Sequence, residues 1–314
     1  MLKKVLTITL SALCIASQAQ AEIFDQEASV MSMADGKKNA WSMTFFSIAS
    51  VSNMKSGSAQ DKEPANVTGR MIDTYDYFSL NYRIDQDSKA SLRVPVLLNS
   101  AGINEYGDQI PSKGSLSDIH FVYSNYDLGY IGDIDVGGAA KWYLPTSQYS
   151  QAAKTIAKFR FEGYFEWQFG RFSSLEYVVK PDIYIQSQTA YYNPDGIPTY
   201  DDGTFMRDPR STTKQYALEH YLQLNLDINK YFTFQTKSGF AEDWYYSSAA
   251  EDLDGSHVTR CRLGVSLEVR PMRGLNFTLG IQNETPLNSY RGQDVTFFKP
   301  DNNQYTLMTN AYVF

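Results

Sequence analysis

The chain has 314 residues, 43% of them hydrophobic and 20% charged, with a formal charge of −7 and a mean hydropathy of −0.38. After the first 21 residues no run of about eighteen apolar residues occurs, which excludes a helical membrane protein. The acid excess argues against nucleic acid as a partner, and the unusual component is aromatic: 14%, with 23 Tyr, 18 Phe and 4 Trp.

Residues 1–21 read as an export signal. Lys3 and Lys4 give a positive start, 5–16 an apolar run too short to span a bilayer, and Ala19-Gln20-Ala21 a small-x-small cleavage site. Leu13 before Cys14 argues against a lipoprotein signal, so cleavage releases Glu22. The processed chain then keeps Cys261 alone, which leaves no intrachain disulfide to expect. Residues 22–40 lack β alternation and read as a periplasmic segment or a plug, with the barrel domain over 41–314.

From Trp41 onward apolar and polar residues alternate with period two, the signature of strands with one apolar face. Twelve strands are expected, at 41–51, 72–84, 89–98, 116–126, 132–144, 157–169, 172–190, 214–228, 231–246, 257–270, 274–285 and 303–314. In the sixth, Phe159, Phe161, Gly163, Phe165, Trp167 and Phe169 alternate with Arg160, Glu162, Tyr164, Glu166 and Gln168. In the tenth, Cys261, Leu263, Val265, Leu267 and Val269 alternate with Arg260, Arg262, Gly264, Ser266, Glu268 and Arg270. Strands of a soluble sandwich average about five or six residues, whereas a membrane-spanning strand needs about nine to eleven. The lengths therefore point to an antiparallel up-and-down transmembrane β-barrel.

The connections alternate in length. Short links at 85–88, 127–131, 170–171, 229–230 and 271–273 interleave with long ones at 52–71, 99–115, 145–156, 191–213, 247–256 and 286–302. This is the pattern of periplasmic turns and extracellular loops, and an even strand count puts both termini on the periplasmic side. Aromatics bracket the strands: Phe169, Phe172, Tyr231, Phe232, Tyr312 and Phe314 at the short turns, and Trp142, Tyr191, Tyr192, Tyr216, Trp244 and Tyr246 at the long loops. Pro181, inside the seventh strand, removes a ladder donor and predicts a bulge.

The signal segment, the alternating strands and the ending Tyr312-Val313-Phe314 together resemble the Gram-negative outer-membrane β-barrel class, porin-like and twelve-stranded. That resemblance makes Tyr312 and Phe314 a signal for the barrel-assembly machinery, although Asn310 departs from it. It also implies outer-membrane lipid and lipopolysaccharide as surroundings. The segment Gly132-Asp133-Ile134-Asp135-Val136 through Lys141-Trp142-Tyr143-Leu144-Pro145 resembles a hairpin arm of proteins linked to uptake of aromatic compounds.

Candidate functional residues are the charges on the inward face: Arg83, Arg93, Lys141, Arg160, Glu162, Glu166, Glu176, Lys180, Asp182, Glu219, Lys237, Arg260, Arg262, Glu268 and Arg270. The acids, with Asp227, fall mainly on strands six to eight and the arginines mainly elsewhere. The expectation is a field across a narrow pore, against the alternative that the charges pair and plug the lumen. A hydrolase is not expected. An outer-membrane phospholipase carries His and Ser two apart on the outward face, but His220 is followed by Leu222, His120 by Val122 and His257 by Thr259. His257 near Asp252 and Asp254, and the runs Asp252-Leu253-Asp254-Gly255 and Asp201-Asp202-Gly203, read as loop and turn chemistry rather than a protease or calcium site. No cofactor or metal is expected. The sequence thus points to passive diffusion of a small polar or charged solute, with specificity from the constriction and loops 191–213 and 286–302. A silent barrel that binds a partner through its loops and a channel for a hydrophobic compound stand as alternatives.

Overall fold

In the computed structural model of the chain, residues 40–52, 72–103, 109–192, 200–201, 205–206, 210–247, 257–287 and 303–313 are described. The expected signal and 22–39 segment lie outside them, as do Phe314, 252–255 and most of loops 191–213 and 286–302. Twelve long strands are found: β1 (Trp41–Ser52), β2 (Ile72–Arg83), β3 (Ser88–Asn99), β4 (His120–Ile131), β5 (Ile134–Tyr143), β6 (Thr155–Gly170), β7 (Ser173–Gln186), β8 (Lys214–Asn229), β9 (Phe232–Tyr245), β10 (His257–Met272), β11 (Leu275–Pro286) and β12 (Asn303–Tyr312). Each pairs antiparallel with its sequence neighbours, and β12 pairs back onto β1 through nine rungs from Thr44–Tyr312 to Ser52–Gln304. The barrel is closed, so no strand edge is left to face lipid.

The short turns are built locally. Between β2 and β3, Asp85 Oδ1 accepts the N–H groups of Asp87 (2.9 Å) and Ser88 (2.7 Å). Between β8 and β9, Asn229 Oδ1 accepts those of Tyr231 (2.8 Å) and Phe232 (3.2 Å). Gly132 (φ 64°) turns β4 into β5, and Gly274 (φ 79°) turns β10 into β11, conformations that a Cβ would strain.

Three expectations need correction. The link at 127–131 belongs to β4, which runs on to Ile131 past a bulge between Asn125 and Gly129; the turn is made by Gly132 instead. The segment 113–116 does not lead straight into β4: it pairs separately with Val96–Asn99, and 117–119 interrupts the ladder. Pro181 makes no bulge, because Val179–Gly163 and Asp182–Arg160 keep one register across it, and its β8 partner Leu218 stays in place. The ring removes one N–H from the ladder but inserts no residue.

The two faces of the wall separate as the alternation requires. Outside lie Phe78 (50% exposed), Leu80, Phe121, Phe161, Leu222 (48%), Val265, Leu279 and Ile281, an apolar belt for lipid. Of the expected girdle residues Phe169, Phe172, Tyr231, Phe232, Trp142 and Tyr216 are exposed. Tyr312 is not among them: it sits opposite Thr44, on the face of Asn310 and Met308, and so points inward. His220 does face out, between the rings of Tyr177 and Phe240.

Candidate functional site in the lumen

All fifteen charged residues picked from the sequence lie on the inward parity of their strands. Their expected segregation into an acidic and a basic wall is not found. Glu162 on β6, Asp182 on β7 and Glu219 on β8 each have a cation beside them, and the arginines of β10 meet acids on β8 to β11. Arg160 grips Asp182 with two contacts of 2.6 Å, and Lys158 reaches the same carboxylate at 3.1 Å. Lys141 meets Glu162 at 2.8 Å. Arg262 spans from Glu219 (3.0 Å) to Glu284 (2.7 Å), while Arg260 bridges Glu284 (2.8 Å) and Asp243 (2.5 Å), which Lys214 also contacts at 2.8 Å. Lower in the lumen Arg270 binds Glu268 at 2.9 Å, and Asn276 donates to the same carboxylate. The reason is the register, which sets Asp243 and Glu284 beside the arginines.

Glu166, Glu176 and Lys237 sit around the middle of the lumen with Gln223 between them, since Glu176 faces Glu166 on one side and Gln223 on the other, and Gln223 faces Lys237. Lys180 and Lys237 both approach the Tyr221 ring, at 5.4 and 4.1 Å. Tyr221 lies directly against Gly239, where a Cβ would come within 2.4 Å of the tyrosine Cβ. A small recess opens below, lined by Gln223, Gln235, Lys237, Ser266, Gln282 and Thr306.

Opposite this charged half, β1, β2 and β12 present an apolar cluster to the lumen: Phe46, Ile48, Tyr77 and Met308, with Tyr75 against it. Phe46 stacks on Tyr77 at 4.8 Å. Arg93 lies over the Tyr77 ring at 5.0 Å, and His120 stacks on Tyr143 at 4.4 Å. Inward side chains at mid-height are almost wholly shielded: Arg93 1% exposed, His120 2%, Val178 1%, Lys180 2%. The lumen is therefore tight at this level. Arg83 closes the short-turn end beside Lys89.

Sequence reasoning missed Lys158 and Asp243, which alternate in step with Arg160 and Lys237. It missed Lys214, which a bulge before Tyr216 brings inward against the alternation, and Glu284, on a strand from which it selected nothing. It also missed the inward tyrosines, whose parity was visible but whose neighbours were not. Among the described residues no group of His, Cys, Asp and Glu is suited to a metal ion.

No family model matches the chain, and no curated protein matches its sequence. Solved structures do resemble it. An outer-membrane channel from Pseudomonas putida F1 superposes with a TM-score of 0.50 at 8% identity, covering 88% of this chain and 97% of that one. The NanC porin gives 0.46 at 8% identity over 86% and 100% of the two chains, and LpxR from Salmonella typhimurium 0.40 at 8% over 87% and 100%. At such identity the likeness is one of fold: the chain has the architecture of outer-membrane β-barrels.

Proposed function

We propose that the protein is a narrow outer-membrane channel that lets small polar or charged solutes diffuse passively, with its turns and termini in the periplasm and its long loops outside. The observation that carries this reading is the inner wall, which holds ionic side chains around β3 to β11 within an otherwise lipid-facing barrel. Replacing buried ion pairs by apolar residues of similar volume is often neutral or stabilising, so stability alone does not call for so many. A polar lining is what a hydrated solute needs. The outer-membrane channels among the structures of like fold fit this reading. Lipid and lipopolysaccharide would surround the belt, and the assembly machinery would insert it. Among the described residues, His220 is followed on its outward face by Leu222, so it does not form the His and Ser pair of an outer-membrane phospholipase.

The tight mid-lumen favours a second reading, a silent barrel that acts through its loops. Planar-bilayer recording on the purified full chain separates the two. Small, discrete conductance steps are expected, and a membrane that stays silent across many insertions would overturn the channel.

A further inference from the structure

One inward row of the sheet climbs through the whole lumen. Tyr312, the last residue of β12, faces Thr44, which faces Ser79, and Ser79 faces Arg93. Arg93 faces His120, His120 faces Tyr143, and Tyr143 faces Lys158, which faces Tyr184. Lys214 continues the line 5.8 Å from the Tyr184 ring and pairs with Tyr245. The row starts at the short-turn end and finishes at the long-loop end, because Lys214 opens β8 and Tyr245 closes β9. Rows run perpendicular to strands, so strand tilt turns this one into a spiral. Nine steps of about 4.8 Å at a tilt of about 40° rise roughly 28 Å, close to the ~25 Å apolar band of such barrels.

Its composition is selective. From Arg93 to Tyr245 it holds cationic or imidazole side chains and tyrosines, and no acid. The lysines lie on tyrosine rings: Lys158 at 4.6 Å from Tyr143 and 5.1 Å from Tyr184, Lys214 at 5.8 and 5.7 Å from Tyr184 and Tyr245. The acids sit one row away, and each serves two cations. Asp182 binds Arg160 as well as Lys158, and Asp243 binds Arg260 as well as Lys214. Each lysine thus shares its carboxylate with an arginine rather than holding it alone.

We infer that this spiral is the path of a ring-bearing monoanion, a carboxylate on a six-membered ring. The carboxylate passes between cations while the ring face lies on tyrosines. Cations spaced by aromatic faces offer weak, repeated sites, and weak sites in series are what conduction needs. This inference rests on the channel reading for transport, but not for binding.

The test uses the full chain in detergent and in planar bilayers, with benzoate and glucuronate as probes and benzyl alcohol and glucose as uncharged counterparts. Calorimetry should show either or both anions binding, and the alcohol and glucose not; benzoate alone points to an aromatic acid, glucuronate alone to a sugar acid. In Lys158→Gln with Lys214→Gln the dissociation constant should rise about tenfold, the loss of one charge-assisted contact. Asp182 and Asp243 keep their arginines, so the barrel should fold, which heat-modifiable gel mobility verifies. Under a KCl gradient the wild type should prefer anions and the double variant lose that preference. A conducting barrel with neither anion binding nor anion preference sinks the spiral and leaves the channel standing. A silent barrel that binds the probes, with binding lost in the variant, keeps the spiral as a binding site and removes the channel.

Discussion

Single residues decide whether the wall closes. Gly239 sits opposite Tyr221 in the β8–β9 pair, and a Cβ there would lie 2.2 Å from the His220 carbonyl oxygen and 2.4 Å from the Tyr221 Cβ. Backbone cannot yield as a side-chain tip can. Gly239→Ala should therefore cost about 1–3 kcal/mol or more, read as a lower urea midpoint for unfolding in detergent micelles. An unchanged midpoint would show that the two strands lie further apart. Asp85 offers a pH-dependent counterpart outside the membrane. The Ser88 hydroxyl, then the Asp87 N–H, hold its carboxylate below its ordinary value of 3.8. A depressed pKa means the turn gains from Asp85 at all pH values above that ordinary value, and loses the gain as pH falls through the lowered one. The protection of the Ser88 amide, its exchange rate measured against the intrinsic rate at the same pH, should fall in acid in the wild type, with no such acid step in Asp85→Ala. The turn was readable from Asp85 and Ser88 alone, because its bonds are local. The crowding at Gly239 was not, because only pairing with β8 creates it.

At the scale of strands, the shared acids set the order of mutational costs. Asp182 is the common partner of Arg160 and Lys158, so Asp182→Asn leaves two buried cations facing each other, whereas Lys158→Gln leaves the bidentate Arg160 pair intact. Breaking a buried pair costs about 3–5 kcal/mol. Asp182→Asn should approach that figure and Lys158→Gln should fall well below it, compared by urea unfolding of the two variants. Equal losses would mean that Lys158 and Arg160 hold the carboxylate equally. This hierarchy shows where sequence legibility ends. Alternation put Arg160, Asp182 and Arg262 inside, since period two needs only the strand itself. Which acid meets which base depends on register, set by turn lengths and the bulge at 125–129, and a shift of two residues leaves every face unchanged while exchanging every partner. The mistaken link at 127–131 has the same origin: Asp127 and Gly129 are turn-forming types, yet Gly129 at φ 137° serves a bulge within β4. Tyr312 likewise was assigned a lipid-facing place by its chain end, and the β1 register turned it inward.

For the molecule as a whole, the belt and the lumen must share one axis, and this fixes where the bilayer lies. Leu222 is central in β8; Tyr177 and Ser238 lie opposite it on the two neighbouring strands, and the apolar Val179 and Phe240 lie on the diagonals. Ile228 lies on the same face next to the short turn at 230–231 and is 65% exposed. An arginine on the lipid face costs about 2–4 kcal/mol at the midplane but about 0–1 near the interface, because a terminal guanidinium reaches headgroups while a central one cannot. Leu222→Arg should therefore destabilise the barrel in phospholipid vesicles by about 2–4 kcal/mol, and Ile228→Arg by at most about 1. In a detergent micelle, whose apolar core is thinner and more deformable, the gap between the two should narrow. Unfolding by guanidinium in vesicles of one chain length measures both. Equal penalties in vesicles would displace the belt from the centre of β8, and with it the height at which Arg93, His120 and Tyr77 narrow the lumen. A penalty confined to Leu222 places that narrow level inside the hydrocarbon layer, where a solute stripped of water depends most on the side chains beside it.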